Sequence, residues 1–126
     1  MIKTSATISH RKKEIAGKYQ QLVNEHILNL KLGKTDRSLE IKDFALMMHL
    51  HPVHLSNTIK EVTGKSTCDI YEHALLNTAK ELLVSSNMSI AQIAVQLTYD
   101  PSNFTKFFKQ YTGITPKKFR QMHLAE

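Results

Sequence analysis

The chain has 126 residues, 41% of them apolar, with 17 basic against 11 acidic residues and a net charge of +6. That suffices for one packed domain or two small lobes. It excludes a helical membrane span within this stretch, since no apolar run is long enough, and no secretory signal is expected, since the basic stretch Met1–Lys13 has no apolar segment behind it. Cys68 is the single cysteine, so no internal disulfide can form, in keeping with a cytoplasmic location. The basic excess points to a polyanionic partner. It is concentrated between Pro101 and Arg120, where Lys106, Lys109, Lys117, Lys118 and Arg120 occur without an acidic residue.

In chain order, residues 1–14 read as a flexible tail or linker. Leu22, Val23, His26, Ile27 and Leu30 recur at helical spacing, which predicts a helix over Tyr19–Leu32 packed on the first of two helical modules. Leu32–Arg37 reads as a surface loop. Ile41–Gly64, the heart of that first module, reads as two short helices with a tight turn between them. The second is opened by His51-Pro52, where histidine is a weak cap, and stopped at Gly64. Ser66–Ser85 carries Ile70, Ala74, Leu75 and Leu82, which predicts one longer connecting helix. At about 18 residues it would span about 27 Å.

Ser89-Ile90-Ala91-Gln92 has the form of a capping box, with Ile90, Ile93, Ala94 and Leu97 as the apolar stripe of a short helix. Asp100 can accept the free N–H groups of a second helix that has Pro101 at its first position. Phe104, Phe107, Phe108 and Tyr111 are the stripe of that helix, and Gly113 its stop. Thr115-Pro116 opens a last short helix.

These two segments are copies of one another. A shift of 49 residues lays Ile41–Gly64 on Ile90–Gly113 without a gap. Ile41/Ile90, Ala45/Ala94, Pro52/Pro101, Lys60/Lys109, Thr63/Thr112 and Gly64/Gly113 are identical. Phe44/Ile93, Met48/Leu97, Leu50/Tyr99, Leu55/Phe104, Ile59/Phe108 and Val62/Tyr111 keep apolar character. A short helix, a turn of about three residues and a second helix, with a small residue inside the first so that the helices cross closely, is a helix-turn-helix signature. One copy alone fits a generic helical hairpin equally well; two in register do not.

On these residues the chain resembles the C-terminal DNA-binding domain of AraC/XylS regulators. The resemblance runs over Leu39–Arg120. It is carried by His54-Leu55-Ser56, Lys60-Glu61-Val62-Thr63-Gly64-Lys65, Ala79-Lys80-Glu81-Leu82-Leu83, Ser89–Ala94, Phe104–Lys109 and Gly113–Arg120. It implies an all-α fold of about seven helices: a first helix-turn-helix module over 15–65, a connecting helix over 66–85 and a second module over 86–126. Its function would be to bind double-stranded promoter DNA through recognition helices at 52–62 and 101–111 in successive major grooves, roughly 34 Å apart. The chain departs from the family pattern at Thr98, where glycine is usual in the second turn, with His49 at the matching place in the first. It also departs at Asn57, where a basic residue is common, and at Lys106 and Leu75, where arginine is frequent.

The resemblance, and the faces the apolar stripes leave open, assign base contacts to Val53, Ser56 and Asn57 in the first module and to Ser102, Asn103 and Lys106 in the second. Asparagine can read adenine, lysine can reach guanine or a phosphate, and valine can touch a thymine methyl. His54, Lys60, Lys109, Lys117, Lys118 and Arg120 are assigned to phosphate, where charge matters more than geometry. The helix N-termini at Pro52, Pro101 and Pro116 could add backbone N–H contacts.

No cofactor or metal is expected: His49, His51 and His54 match no zinc spacing, and Cys68 stands alone. No residue constellation supports an enzyme. The aromatic residues between Tyr99 and Phe119 could stack on single-stranded bases, but their helical spacing assigns them to a core. Rival readings are the same module as output of a larger sensor kinase or DNA repair protein, and a helical protein-interaction domain without a DNA role. Regulators of this family carry a separate sensing or dimerising domain. The chain is therefore expected to be a fragment, monomeric alone, of a regulator that works with RNA polymerase and whose full-length form could dimerise through the missing domain.

Overall fold

A computed structural model describes residues 8–124. Among these there are seven helices and no strand: α1 (His10–Lys31), α2 (Ile41–Met47), α3 (Pro52–Thr63), α4 (Thr67–Ser85), α5 (Ile90–Gln96), α6 (Pro101–Thr112) and α7 (Pro116–Leu124). The fold is all-α, as expected. No described helix is long and apolar enough to cross a membrane.

The largest difference from the sequence reading lies at the start. α1 begins at His10, so residues 10–14 are helical rather than tail; residues 1–7 lie outside the described residues. The Ser9 hydroxyl accepts from the Lys12 N–H at 3.1 Å and so caps a free donor of the first turn. Ile15, Ala16 and Tyr19 extend the buried stripe of Leu22, Val23, His26, Ile27 and Leu30 one turn and more toward the N-terminus.

The chain forms two compact units. Among the described residues, the first holds residues 8–26 together with Leu39–His73. The second holds Ile27–Ser38 and residues 74–124. The unit boundaries therefore cut through α1 and α4, whereas the sequence divides the chain at 65 and 85. Ile27 and Leu30 of α1 fall in the second unit, and α4 contributes to both.

In the first unit Phe44, Ala45, Leu55 and Ile59 are buried to 1% exposure or less. The Tyr19 ring meets Phe44 edge-on at 5.4 Å, and its hydroxyl donates to the Thr67 carbonyl at 3.0 Å. Burial pushes the ionisation of that hydroxyl well above the usual tyrosine range, so it stays a donor. His26 is buried among Phe44 and Tyr71, and its Nε2 accepts from the Leu39 N–H at 3.3 Å. Lys12 and Glu61 pair at 2.9 Å, tying α1 to α3.

In the second unit the matched positions Ile93, Ala94, Phe104 and Phe108 are all fully buried. Tyr99 stacks on Phe107 at 5.0 Å, and Phe108 meets Phe119 of α7 at 5.4 Å. Phe104, Phe107 and Phe108 are thus core, with Tyr99, Tyr111 and Phe119 half-buried against them. Gln96 donates to the Leu30 carbonyl at 2.9 Å and holds the end of α1.

The repeat is one of backbone as well as sequence. α2 and α5 end in the same hydrogen-bond pattern. Leu50 N–H donates to the Ala45 carbonyl at 2.9 Å and His49 N–H to Leu46 at 3.1 Å; Tyr99 and Thr98 donate to Ala94 and Val95 at 2.8 and 2.9 Å. This double closure is a Schellman motif, and it requires a left-handed residue. His49 (φ 57°) and Thr98 (φ 69°) take that conformation without being glycine. Gly64 and Gly113 supply it at the ends of α3 and α6, at φ 75° and 83°.

A β-branched residue is ill-suited to this region, at a cost on the order of 1–2 kcal/mol. Thr98→Gly is therefore expected to stabilise the protein by about 1 kcal/mol, after allowing for the greater freedom of glycine in the unfolded chain. Chemical denaturation checks this; a lower midpoint would show that the Thr98 side chain contributes more than its backbone costs.

Candidate nucleic-acid interface

The cores of both modules are built from one side of α3 and one side of α6, which leaves the opposite sides open. On α3, Leu55, Thr58 and Ile59 face inward, while Val53, His54, Asn57 and Lys60 are exposed and Ser56 is half-buried. On α6, Phe104, Phe107 and Phe108 face inward, while Ser102, Asn103, Lys106 and Lys109 are exposed. Positions 53, 54, 57 and 60 thus correspond to 102, 103, 106 and 109. Every base-contact candidate except Ser56 projects from an open helix face. Val53, at 59% exposure, is an apolar side chain without a core to join.

The two reading faces share a frame but differ in chemistry. At the start of α3, His51 does act as the cap: its Nδ1 accepts from the Val53 N–H at 3.1 Å. At the start of α6 a single Asp100 carboxylate oxygen accepts from the Ser102 N–H (3.2 Å), the Asn103 N–H (3.4 Å) and the Ser102 hydroxyl (2.5 Å). These bonds, the Ser102 hydroxyl foremost, hold the Asp100 carboxyl below its ordinary range, with Lys106 adding a smaller attraction. Phosphate contact at these two N-termini, expected from the prolines, meets N–H groups that already have acceptors in the chain. At α6 it also meets a negative charge. At α7 the Thr115 hydroxyl takes the Lys118 N–H at 3.1 Å.

The basic residues divide. Lys109, Lys117 and Lys118 are exposed. Lys60 is exposed too, but its Nζ donates to the Gly64 carbonyl at 3.0 Å. Arg120 departs from the sequence reading. Its guanidinium turns to the end of α4, with Nε 2.8 Å from the Leu83 carbonyl and a terminal nitrogen 3.5 Å from those of Leu82 and Ser86. It places a cation against the carbonyls at a helix C-terminus, where a cation is favoured, and so is turned toward the protein rather than held out toward phosphate.

Of the histidines considered for metal, His51 spends Nδ1 on its cap, and no group of three metal-ligating side chains comes together among the described residues. Cys68 is exposed, yet partial desolvation of its thiol, with Glu72 beside it, raises the thiol above the ordinary range and makes it a poorer nucleophile. Sequence reasoning missed Asp100 as a fixed charge at the reading face. Its position just before Pro101 marks it in the sequence only as a cap.

Two helix-turn-helix modules with open, polar second helices define a DNA-binding domain of the transcription-regulator type. Comparisons with known proteins agree. Residues 44–122 match a family described as a helix-turn-helix domain. The chain is similar to the HTH-type transcriptional regulator YisR of Bacillus subtilis, 34% identical over 65% of this chain and 29% of that protein. It is also similar to the bifunctional transcriptional activator/DNA repair enzyme AdaA of the same organism, 30% identical over 70% of this chain and 42% of that protein. Among solved structures, the C-terminal domain of AraT, a response regulator from Geobacillus stearothermophilus, superposes with a TM-score of 0.75. It is 26% identical, covering 92% of this chain and 88% of that one. The DNA-binding domain of AdpA in complex with a target DNA shares the fold, with a TM-score of 0.67 at 16% identity over 81% of this chain and 93% of that one. The chain belongs to the AraC-type family of helix-turn-helix domains. It spans less than half the length of these two curated relatives.

Proposed function

We propose that this chain is the DNA-reading part of a bacterial transcription regulator, with α3 and α6 each laid in a major groove of one promoter duplex. The observation that carries this is the pairing of open positions 53/102, 54/103 and 57/106 on two helices held by the same turn and the same glycine stop. Val53, Ser56 and Asn57 would meet bases in one half-site, and Ser102, Asn103 and Lys106 in the other. His54, Lys60, Lys109, Lys117 and Lys118 would hold phosphates. The reading makes the chain non-enzymatic, cytoplasmic, monomeric by itself and a partner of RNA polymerase, the last in line with the activator named among its relatives. Because those relatives are much longer, and AraT is a response regulator, the same module would also serve as the output end of a larger signalling or repair protein.

A pair of substitutions tests the assignment. Asn57 is neutral, so its contribution is through directed hydrogen bonds worth about 1–3 kcal/mol of base discrimination. Lys106 is a flexible charge that helps on any sequence. Asn57→Ala is expected to relax preference at one or two base pairs and leave the salt dependence unchanged. Lys106→Ala is expected to weaken binding on all sequences and to reduce the log–log salt slope by about one. Selection of bound sequences and a salt titration for each variant read this out. A changed base preference for Lys106→Ala, with none for Asn57→Ala, would reverse the roles.

A further inference from the structure

We infer that Ser102 reads DNA as a hydrogen-bond acceptor, and that α6 therefore selects a base bearing an exocyclic amine, cytosine or adenine, at the position Ser102 faces. This rests on the proposed placement of α6 in a major groove.

The argument starts from the Asp100 oxygen 2.5 Å from the Ser102 hydroxyl. An ionised carboxylate can only accept, so the single hydroxyl proton must lie between the two and point at Asp100. The distance is that of a strong, charge-assisted O–H···O⁻ bond. The depressed ionisation of Asp100 keeps that acceptor charged throughout the neutral range. What Ser102 has left for a partner is its oxygen lone pairs. A serine hydroxyl ordinarily rotates to suit either a donor or an acceptor; this one has lost that freedom.

In the major groove the donors on base edges are the N4 amine of cytosine and the N6 amine of adenine, whereas guanine offers N7 and O6, and thymine O4 and a methyl. Two acceptors side by side, the Ser102 oxygen and the Asp100 carboxylate, match an amine and repel the lone pairs of guanine and thymine. The corresponding residues of the first module, Val53 and His51, present a hydrocarbon and an imidazole. This pair of acceptors thus belongs to the second module alone.

The experiment uses wild type, Ser102→Ala and Asp100→Asn, all confirmed folded by thermal melting. Selection of bound duplexes is followed by competition with duplexes carrying each base in turn across the α6 half-site. Wild type is expected to prefer cytosine or adenine over guanine and thymine by about tenfold at one position, and Ser102→Ala to reduce that to within about twofold. Asparagine still caps the helix, but its amide can donate to Ser102 and release the hydroxyl proton outward. Asp100→Asn is therefore expected to admit guanine or thymine at the same position. A wild-type preference for guanine or thymine that Ser102→Ala removes would overturn the inference, as would a selective wild type whose profile both variants keep. Wild type that binds all duplexes alike would overturn the groove placement and the inference with it.

Discussion

Raising salt from about 50 to about 200 mM is expected to weaken duplex binding about a thousandfold. With about six phosphates neutralised, log affinity should fall against log salt with a slope near −5, and fourfold more salt then costs three decades. The groups available are Lys60, Lys106, Lys109, Lys117 and Lys118, with His54 beside them. All are exposed. Arg120 is left out because its guanidinium is held on the α4 carbonyls. A fluorescence-anisotropy titration gives the slope. A value near zero would mean that this face carries no polyanion, and a value well beyond −5 would bring Arg120 back among the phosphate ligands.

Ala94→Asp is expected to unfold the second unit. Ala94 is fully buried where α5 meets α6, and its carbonyl accepts the Tyr99 N–H that closes the turn. A carboxylate there would be buried without a partner and without room, at a cost of several kcal/mol, comparable to the whole stability of a domain this size. Circular dichroism on heating should show loss of helix at temperatures where the parent is intact. Ala45→Asp should do the same to the first unit, because the two alanines are equivalent in backbone and burial. An unchanged melting curve for Ala94→Asp would mean that α5 and α6 do not cross closely at this residue.

The fold was legible in the sequence where local chemistry and global packing coincide. The Ser89–Gln92 capping box forms with both reciprocal bonds, at 2.8 and 3.0 Å. Asp100 caps, Gly64 and Gly113 stop their helices, and the repeat reproduces the burial of its core pairs Phe44/Ile93, Ala45/Ala94, Leu55/Phe104 and Ile59/Phe108. What escaped is what short-range patterns do not encode. The early start of α1 was hidden because the stretch from His10 to Glu14 is polar, although Ile15 and Ala16 already continue the stripe.

Arg120 looks the same in a sequence whether its charge goes to water, to phosphate or to carbonyls distant along the chain. The division into units follows contacts of Ile27, Leu30 and Gln96 that lie far apart in sequence. At the reading face the sequence supplied residue types and face but not hydrogen direction. Ser102 and Asp100 were visible as two residues, and only their geometry joins them into one acceptor.

The Arg120 guanidinium also bears on where this chain can be cut or joined. Deleting α7 would remove more than two basic side chains and a short amphipathic helix. It would strip the end of α4 of the donor to the Leu83 carbonyl and expose the Phe108 edge that Phe119 covers. A shortened version ending after Gly113 would keep every residue of both helix-turn-helix motifs and still lack a lid on its second core. Fusion partners and tags therefore belong beyond Leu124, and a minimal DNA reader made from this sequence has to be counted to the end of α7, not to the end of its recognition helix.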